Sequence, residues 1–136
     1  MAAKFVITNS ERLRTIMAPI ATGTAIEYGD LVAVSSGLIV KAAAASTAVA
    51  YCVKAHPANS GTQIQITEGN DFTLRGTMDV VFAAAYRGVE YDINDTTQTI
   101  DQGGTTTKVL KVSIGEDAGV VGSASNVLVR INKPIF

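Results

Sequence analysis

The sequence predicts an all-β domain, a compact barrel or sandwich of short strands joined by short hairpins. Apolar and polar residues alternate along several runs, which is the pattern of strands with one buried face. Glycine, asparagine, aspartate and serine separate these runs at short intervals, as hairpin turns require. Only two alanine-rich stretches depart from the pattern, and each is long enough for one or two helical turns at most.

The clearest strands are alternating runs from residue 62 onward. In TQIQITE, residues 62–68, Ile64 and Ile66 share one face. Three later runs repeat this alternation, and we expect their apolar sets to face the core. These sets are Phe72 with Leu74, then Leu110 with Val112 and Ile114, then Val127 with Val129 and Ile131.

A first hairpin is expected in and after AIEYGDLVAV, residues 25–34. Gly29 can adopt a positive φ, and Asp30 can bond the backbone that follows it, so this pair is interpreted as a turn. LVAV and LIVK then pair across a short loop, in which Gly37 suits a hairpin with a bulge.

GVEYDINDTT, residues 88–97, echoes that first segment. VEYDI and TQTI flank Asn94, which begins a second hairpin turn. Gly88 is expected to end a helical turn in the alanine-rich FAAAYRG. The echo therefore indicates a repeated way of entering a hairpin, and it is too short to establish a duplicated domain.

Bulky and small residues alternate in AVAYCV, residues 48–53. The small face, which includes Ala50 and Cys52, allows another layer or a neighbouring subunit to approach closely. Cys52 is the chain's only cysteine, so it cannot form an intrachain disulfide. We expect it to be a buried structural thiol.

Residues 1–19 are set apart as an N-terminal arm or edge segment, and residues 20–136 as a single β-domain. KFVIT either adds an edge strand to the domain's own sheet or belongs to an arm that docks on a partner. In the docking alternative, removing residues 2–14 weakens binding and barely changes the melting temperature. The candidate docking residues are Lys4, Phe5, Ile7, Arg12, Leu13, Arg14 and Met17.

Composition favours a protein that binds other proteins. The net charge is −1 with mixed signs along the chain, which argues against a nucleic-acid binder. Charged residues make up 17% and apolar residues 47% of the chain, so apolar area should remain exposed as an interface. No run approaches the ~20 apolar residues of a membrane span, and we expect a protein that stays in the cytoplasm or in a particle assembled there.

No catalytic, metal or cofactor site is expected. His56, the only histidine, lies in the loop-like KAHPANSG without a serine or cysteine motif, and we expect it to be exposed. The acids from Asp92 onward lack the glycine and glutamate of a calcium loop. QGGTTTK has no glycine directly before Lys108 and lacks the setting of a phosphate loop.

Several segments together resemble the small head-decoration, or cement, proteins of tailed bacteriophages. The segments are GTAIEYGDLVAVSSGLIVKA, AYCVKA, TQIQITEGNDF and RGVEYDINDTTQTID, all between residues 20 and 131. A turn of the form G-x-x-I-x-x-G-D-x-V before a hairpin, and a later G-x-x-Y-x-I, carry the resemblance. The resemblance implies a β-tulip-like fold, a homotrimer, and binding to the major capsid protein on the outer surface of a virion made in the host cytoplasm.

The sequence is also compatible with two other classes of protein. A β-sandwich adhesion or carbohydrate-binding module would share most of these traits, although the chain has no Trp and only 6% aromatic residues for stacking on a sugar. A lipoyl or biotinyl carrier also uses turns of this form. Its modified lysine would stand at the hairpin tip, where this chain has Ser35-Ser36-Gly37.

Overall fold

The computed structural model describes residues 4–9, 11–21, 23–53, 56, 61–94 and 97–136. This part of the chain forms short β-strands and two single turns of 3₁₀ helix, at Ala84–Tyr86 and Glu116–Ala118. The strands are β1 (Val6–Asn9), β2 (Arg14–Pro19), β3 (Leu31–Ser35), β4 (Leu38–Lys41), β5 (Ala50–Tyr51), β6 (Gln63–Glu68), β7 (Thr73–Gly76), β8 (Glu90–Asn94), β9 (Thr99–Asp101), β10 (Leu110–Val112) and β11 (Val127–Ile131).

The strands form three antiparallel sheets. The largest has the order β1-β7-β11-β10-β8-β9, and the smaller two have the orders β2-β6 and β4-β3-β5. The all-β prediction is confirmed, and the arrangement is consistent with a β-sandwich. The barrel alternative is not what forms, because the described residues make no closed barrel.

Two hydrophobic clusters form the core, and strand β5 contributes to both. Val49 and Tyr51 lie in the larger cluster, under the six-stranded sheet, whereas Ala50 and Cys52 lie in the smaller one. Cys52 is fully buried and makes an isolated antiparallel bridge with Ile66 of β6. Another layer of the same chain therefore covers the small face of this strand, and the prediction that Cys52 is buried is confirmed.

The predicted hairpin β3–β4 forms, with a tighter turn than expected. Ser35 pairs with Leu38, which leaves a loop of two residues. Ser36 and Gly37 both have positive φ, 51° and 79°, as a type I′ turn requires. The expected bulge is therefore wrong, because a primed two-residue turn already matches the twist of the two strands.

The second predicted hairpin also forms, from β8 and β9. Asn94 pairs with Thr99, and the Asn94 carbonyl accepts a 2.9 Å hydrogen bond from the N–H of Gln98. Residues 95 and 96, which belong to the predicted turn, lie outside the described part of the chain. The turn ends at Gln98, whose φ of 54° is left-handed.

The alanine-rich stretches differ from each other. FAAAYRG forms the 3₁₀ turn at Ala84–Tyr86, followed by Gly88 at a φ of 74°. KAAAAST forms no helical turn: β4 ends within it, and the Ser46 hydroxyl accepts a hydrogen bond from the N–H of Ala43. A serine that bonds the nearby backbone competes with a helix in this way.

One expected core residue is exposed. Val112 is buried as predicted, but Ile114 is 78% exposed. Strand β10 ends at Val112, so the alternation no longer determines which way the next side chains point. The expectation that Ile114 faces the core is wrong.

Candidate docking surfaces

Phe5, a predicted docking residue, belongs to the larger core. Its side chain is fully buried, and its ring lies so close to Gly76 that a Cβ there would stand 2.5 Å from it. The Phe5 N–H donates to the carbonyl of Gly29 (3.1 Å), and the Phe5 carbonyl accepts from the hydroxyl of Tyr51 (2.8 Å). Burial, followed by the neighbouring Tyr28, raises the pKa of Tyr51 and keeps that hydroxyl protonated.

Lys4 binds a buried carboxylate and so also faces the domain itself. Its ammonium lies 3.1 Å from Oδ1 of Asp30, which has no exposed surface, and 3.6 Å from Glu27. Lys41 lies 3.6 Å from Oδ2 of the same carboxylate. That oxygen accepts a hydrogen bond from the N–H of Glu27, which precedes Asp30 in the chain. The sequence had indicated a bond to the backbone that follows Asp30.

The Glu27–Asp30 turn explains why the carboxylate is oriented in this way. The Asp30 N–H donates to the carbonyl of Glu27 at 3.1 Å, and Gly29 has a φ of 92°. This closes a tight turn that brings the side chain of Asp30, its last residue, back to Glu27, its first residue. The predicted turn role of Gly29 is therefore confirmed.

The remaining arm candidates divide between core and surface. Ile7 and Leu13 are half-buried against the larger core. Arg12, Arg14 and Met17 are exposed, and Arg12 forms a 3.5 Å ion pair with Asp71. The predicted set thus does not form one surface, and residues 4–9 and 11–19 have the geometry of an edge segment: β1 pairs with β7, and β2 pairs with β6.

A groove of about 700 Å³ lies beside the exposed arginines. It is lined by residues 11–14 and 68–71, which carry both positive and negative side chains. Mixed charges of this kind select no single class of ligand.

Four exposed valines lie on two adjoining loops, and we call this set the valine patch. The loops are joined by two hydrogen bonds of 2.9 Å, from the N–H of Phe82 to the carbonyl of Ser123 and from the N–H of Gly122 to the carbonyl of Phe82. The buried ring of Phe82 lies beneath them, against Gly119. The patch consists of Val80, Val81, Val120 and Val121.

The second loop of the valine patch is a tight turn. The Ser123 N–H donates to the carbonyl of Val120 at 3.0 Å, and Gly122 has a φ of 89°. Turn positions usually carry polar or small residues, whereas this turn exposes about two-thirds of Val120 and Val121. A cluster of exposed apolar side chains on a hydrogen-bonded base is typical of an interface.

Three cations lie on the outer face of strands β7, β11 and β10, whereas Glu90, Asp92 and Asp101 lie on the same face of strands β8 and β9. Lys111 of β10 stands directly opposite Arg130 of β11, and both side chains are exposed. Arg75 lies opposite Leu128, two residues before Arg130, and so shares this face. The inner face of the same strands packs on the larger core.

His56 contradicts its sequence-based interpretation. It is only 8% exposed, and its backbone exchanges two hydrogen bonds with Ile26, of 2.9 and 2.7 Å. The expectation of an exposed loop histidine is wrong, because this backbone pairing holds His56 beside Ile26, a residue of the smaller hydrophobic cluster. Its neighbours at 54, 55 and 57–60 lie outside the described residues.

Asp92 organises a loop through its carboxylate. Its oxygens accept backbone hydrogen bonds from Lys108 (2.8 Å), Thr107 (2.8 Å) and Thr106 (3.2 Å). Burial alone would raise the pKa of Asp92, but these three bonds outweigh it and lower the pKa. Within the described residues no group of three or more His, Cys, Asp or Glu side chains is arranged to hold a metal ion.

Neither the valine patch nor the cations on the outer sheet face were predicted from the sequence. The signal for the valine patch was the pair of Val-Val dipeptides in DVVF and GVVG, which lie between turn residues and not in alternating runs. The opposition of Lys111 and Arg130 had no local signal, because it depends on the register between two strands.

None of the helical segments in the described part of the chain is long and apolar enough to cross a bilayer. Comparison of the chain with protein-family models, with curated proteins and with solved structures finds no match.

Proposed function

We propose that this chain is a bacteriophage head-decoration protein, which binds the outer surface of the capsid as a homotrimer and clamps neighbouring capsid subunits without catalysis. The observation that carries the proposal is the valine patch. It supplies a compact apolar contact surface on an all-β scaffold whose turn patterns resemble those of the decoration proteins.

The chemistry of the patch favours a protein partner. Its four side chains are aliphatic and β-branched, so they have few rotamers to lose when they are buried. A carbohydrate-binding surface would instead offer aromatic rings for stacking, and the valine patch has none. A rigid aliphatic surface is suited to packing against the apolar surface of another protein.

The binding test uses shells assembled from the major capsid protein encoded in the same genome as this chain. We expect the chain to co-sediment with these shells and to appear on their outer surface in electron micrographs. A chain that does not bind the shells, or that lies inside them, would reject the proposal. In solution we expect a mass about three times the 14.2 kDa of one chain.

A matched pair of variants tests the role of the patch. Replacing Val81 and Val121 together with Ser removes apolar area that would be buried, and binding to shells should weaken about tenfold or more. The control is Val34→Ser, the same change at an exposed valine on β3 of a different sheet. Equal losses in the control and in the double variant would show that the patch is not the contact.

A further inference from the structure

Two cations on the outer sheet face stand directly opposite each other. Lys111 and Arg130 occupy opposed positions on β10 and β11. Like charges at opposed positions destabilise a sheet. The Lys111–Arg130 pair is therefore unfavourable in itself, and an anionic partner between the two side chains would relieve the repulsion.

Neither cation forms an ion pair within the part of the chain that the structure describes. The ion pairs there involve Lys4, Arg12 and Lys41, and not these two residues. Glu90 lies opposite Lys111 on its other side, so its single negative charge offsets only one of the two positive charges, and its carboxylate also accepts a hydrogen bond from the side chain of Asn132. The charge of this face is consequently open to solvent.

An apolar side chain stands beside the cations. Ile114 is 78% exposed and lines a shallow groove of about 380 Å³ together with Lys111, Ser113 and Arg130. We use the name basic face for Lys111, Arg130 and Ile114. The groove offers two positive charges and one apolar contact within a few residues.

We infer that the basic face binds an acidic segment of a protein partner, with a carboxylate between Lys111 and Arg130 and an apolar side chain against Ile114. This inference rests on the proposed function, in which the segment belongs to the capsid subunit. Nucleic acid is disfavoured because the chain is net negative and the face offers an apolar contact beside its charges.

The direct test needs no shells, so it can fail or succeed independently of the proposed function. The probes are a short synthetic peptide that alternates Glu and Leu, the same peptide with Gln in place of Glu, and oligothymidine. Binding is measured by NMR, as changes in the chemical shifts of the backbone amides of the intact protein. The Glu-Leu peptide should bind and shift the amides of Lys111 and Ile114, whereas the Gln-Leu peptide should bind about tenfold more weakly.

The variants remove the same charge from two places. Lys111→Gln with Arg130→Gln should weaken binding of the Glu-Leu peptide about tenfold, whereas Arg12→Gln with Arg14→Gln should leave it unchanged. The first pair removes both the repulsion between Lys111 and Arg130 and the attraction between Lys111 and Glu90, so the melting temperature should stay close to that of wild type. An unchanged melting temperature shows that lost binding is not due to unfolding.

Four outcomes would overturn the inference: equal binding of both peptides, an equal loss in the control pair, tighter binding of oligothymidine than of the Glu-Leu peptide, or self-association that disappears with Lys111→Gln and Arg130→Gln. A chain that binds the Glu-Leu peptide through this face but does not bind shells would support the inference and reject the proposed function.

Discussion

The side-chain carbonyl of Gln98 accepts a 2.9 Å hydrogen bond from the backbone N–H of Leu31, sixty-seven positions away in the chain. The side-chain amide of Gln98 donates a 2.8 Å bond to the carbonyl of Ala42. Gln98 is buried at the turn of the β8–β9 hairpin, and its two partners flank the β3–β4 hairpin. One side chain thus joins hairpins from two different sheets.

Replacing Gln98 with Ala should lower the free energy of unfolding by about 2–4 kcal/mol, because it leaves a buried N–H and a buried carbonyl without partners. Chemical denaturation measures the change. Thr97→Ala is the control, since Thr97 is exposed and its hydroxyl bonds the hydroxyl of Thr99. A loss no larger than the control's would mean that Gln98 does not join the two hairpins.

Phe5→Ala should destabilise the protein by about 3–5 kcal/mol, as expected when a buried aromatic ring is removed from a core. Met17→Ala, an exposed position on β2, should change stability by less than about 0.5 kcal/mol. Thermal melting distinguishes the two variants.

Because Phe5 is part of the core, removal of residues 2–14 should unfold the domain. A truncated chain with an unchanged melting temperature would instead support the docking-arm hypothesis.

Asp92 should make the protein sensitive to acid. Its pKa is lowered from an ordinary value of 3.8, so its ionised form is favoured by folding. The stabilisation is fully present above that ordinary value and is lost as the pH falls through the lower, folded-state value. Asp92→Asn should cost about 1–3 kcal/mol at neutral pH, and the gap from wild type should shrink below about pH 4. A gap that is constant with pH would contradict this.

Asp101 should behave in the opposite sense. Burial, then a hydrogen bond and the charge of Asp79, raise its pKa, so its ionised form opposes folding at neutral pH and the penalty disappears as the pH falls through the raised value. Asp79→Asn keeps an acceptor for the N–H of Gln102 and removes the charge. The variant should melt at a higher temperature than wild type at pH 7 and at nearly the same temperature in acid. An equal melting temperature at pH 7 would refute the repulsion.

Cys52 should react with a thiol reagent only when the protein opens. Buried thiols lack access to the reagent, so the labelling rate should follow the fraction unfolded and rise steeply in denaturant. A Ser125→Cys variant supplies an exposed thiol in the same molecule, so one thiol should be labelled quickly and the other slowly. Rapid labelling of both thiols in native buffer would contradict the burial of Cys52.

Local patterns predicted the strands better than their partners. Alternation in TQIQITE correctly placed Ile64 and Ile66 inside, because one buried face is enough to produce that pattern. The pairing of β1 with β7 and of β7 with β11 joins distant segments, and their register depends on contacts that no local pattern records. The sheet order was therefore not predictable.

The candidate site was less predictable than the fold. Residues 1–19 were a candidate docking arm, but burial of Phe5 and the ion pair of Lys4 with Asp30 direct part of that segment inward. A lysine attracted by a buried carboxylate cannot be distinguished in sequence from one that awaits a partner. The hairpin at Ser36 was predicted, but its two-residue turn was not, because serine rarely adopts the left-handed conformation that it has here.

Strand β5 couples the two hydrophobic clusters mechanically. Because alternate side chains of residues 49–52 enter opposite clusters, the backbone cannot withdraw from one without withdrawing from the other. Opening of the three-stranded sheet that contains β5 would therefore expose the larger cluster to water as well, and the domain should open as one cooperative unit. Force that pulls β5 out of the three-stranded sheet should therefore disrupt both hydrophobic clusters together.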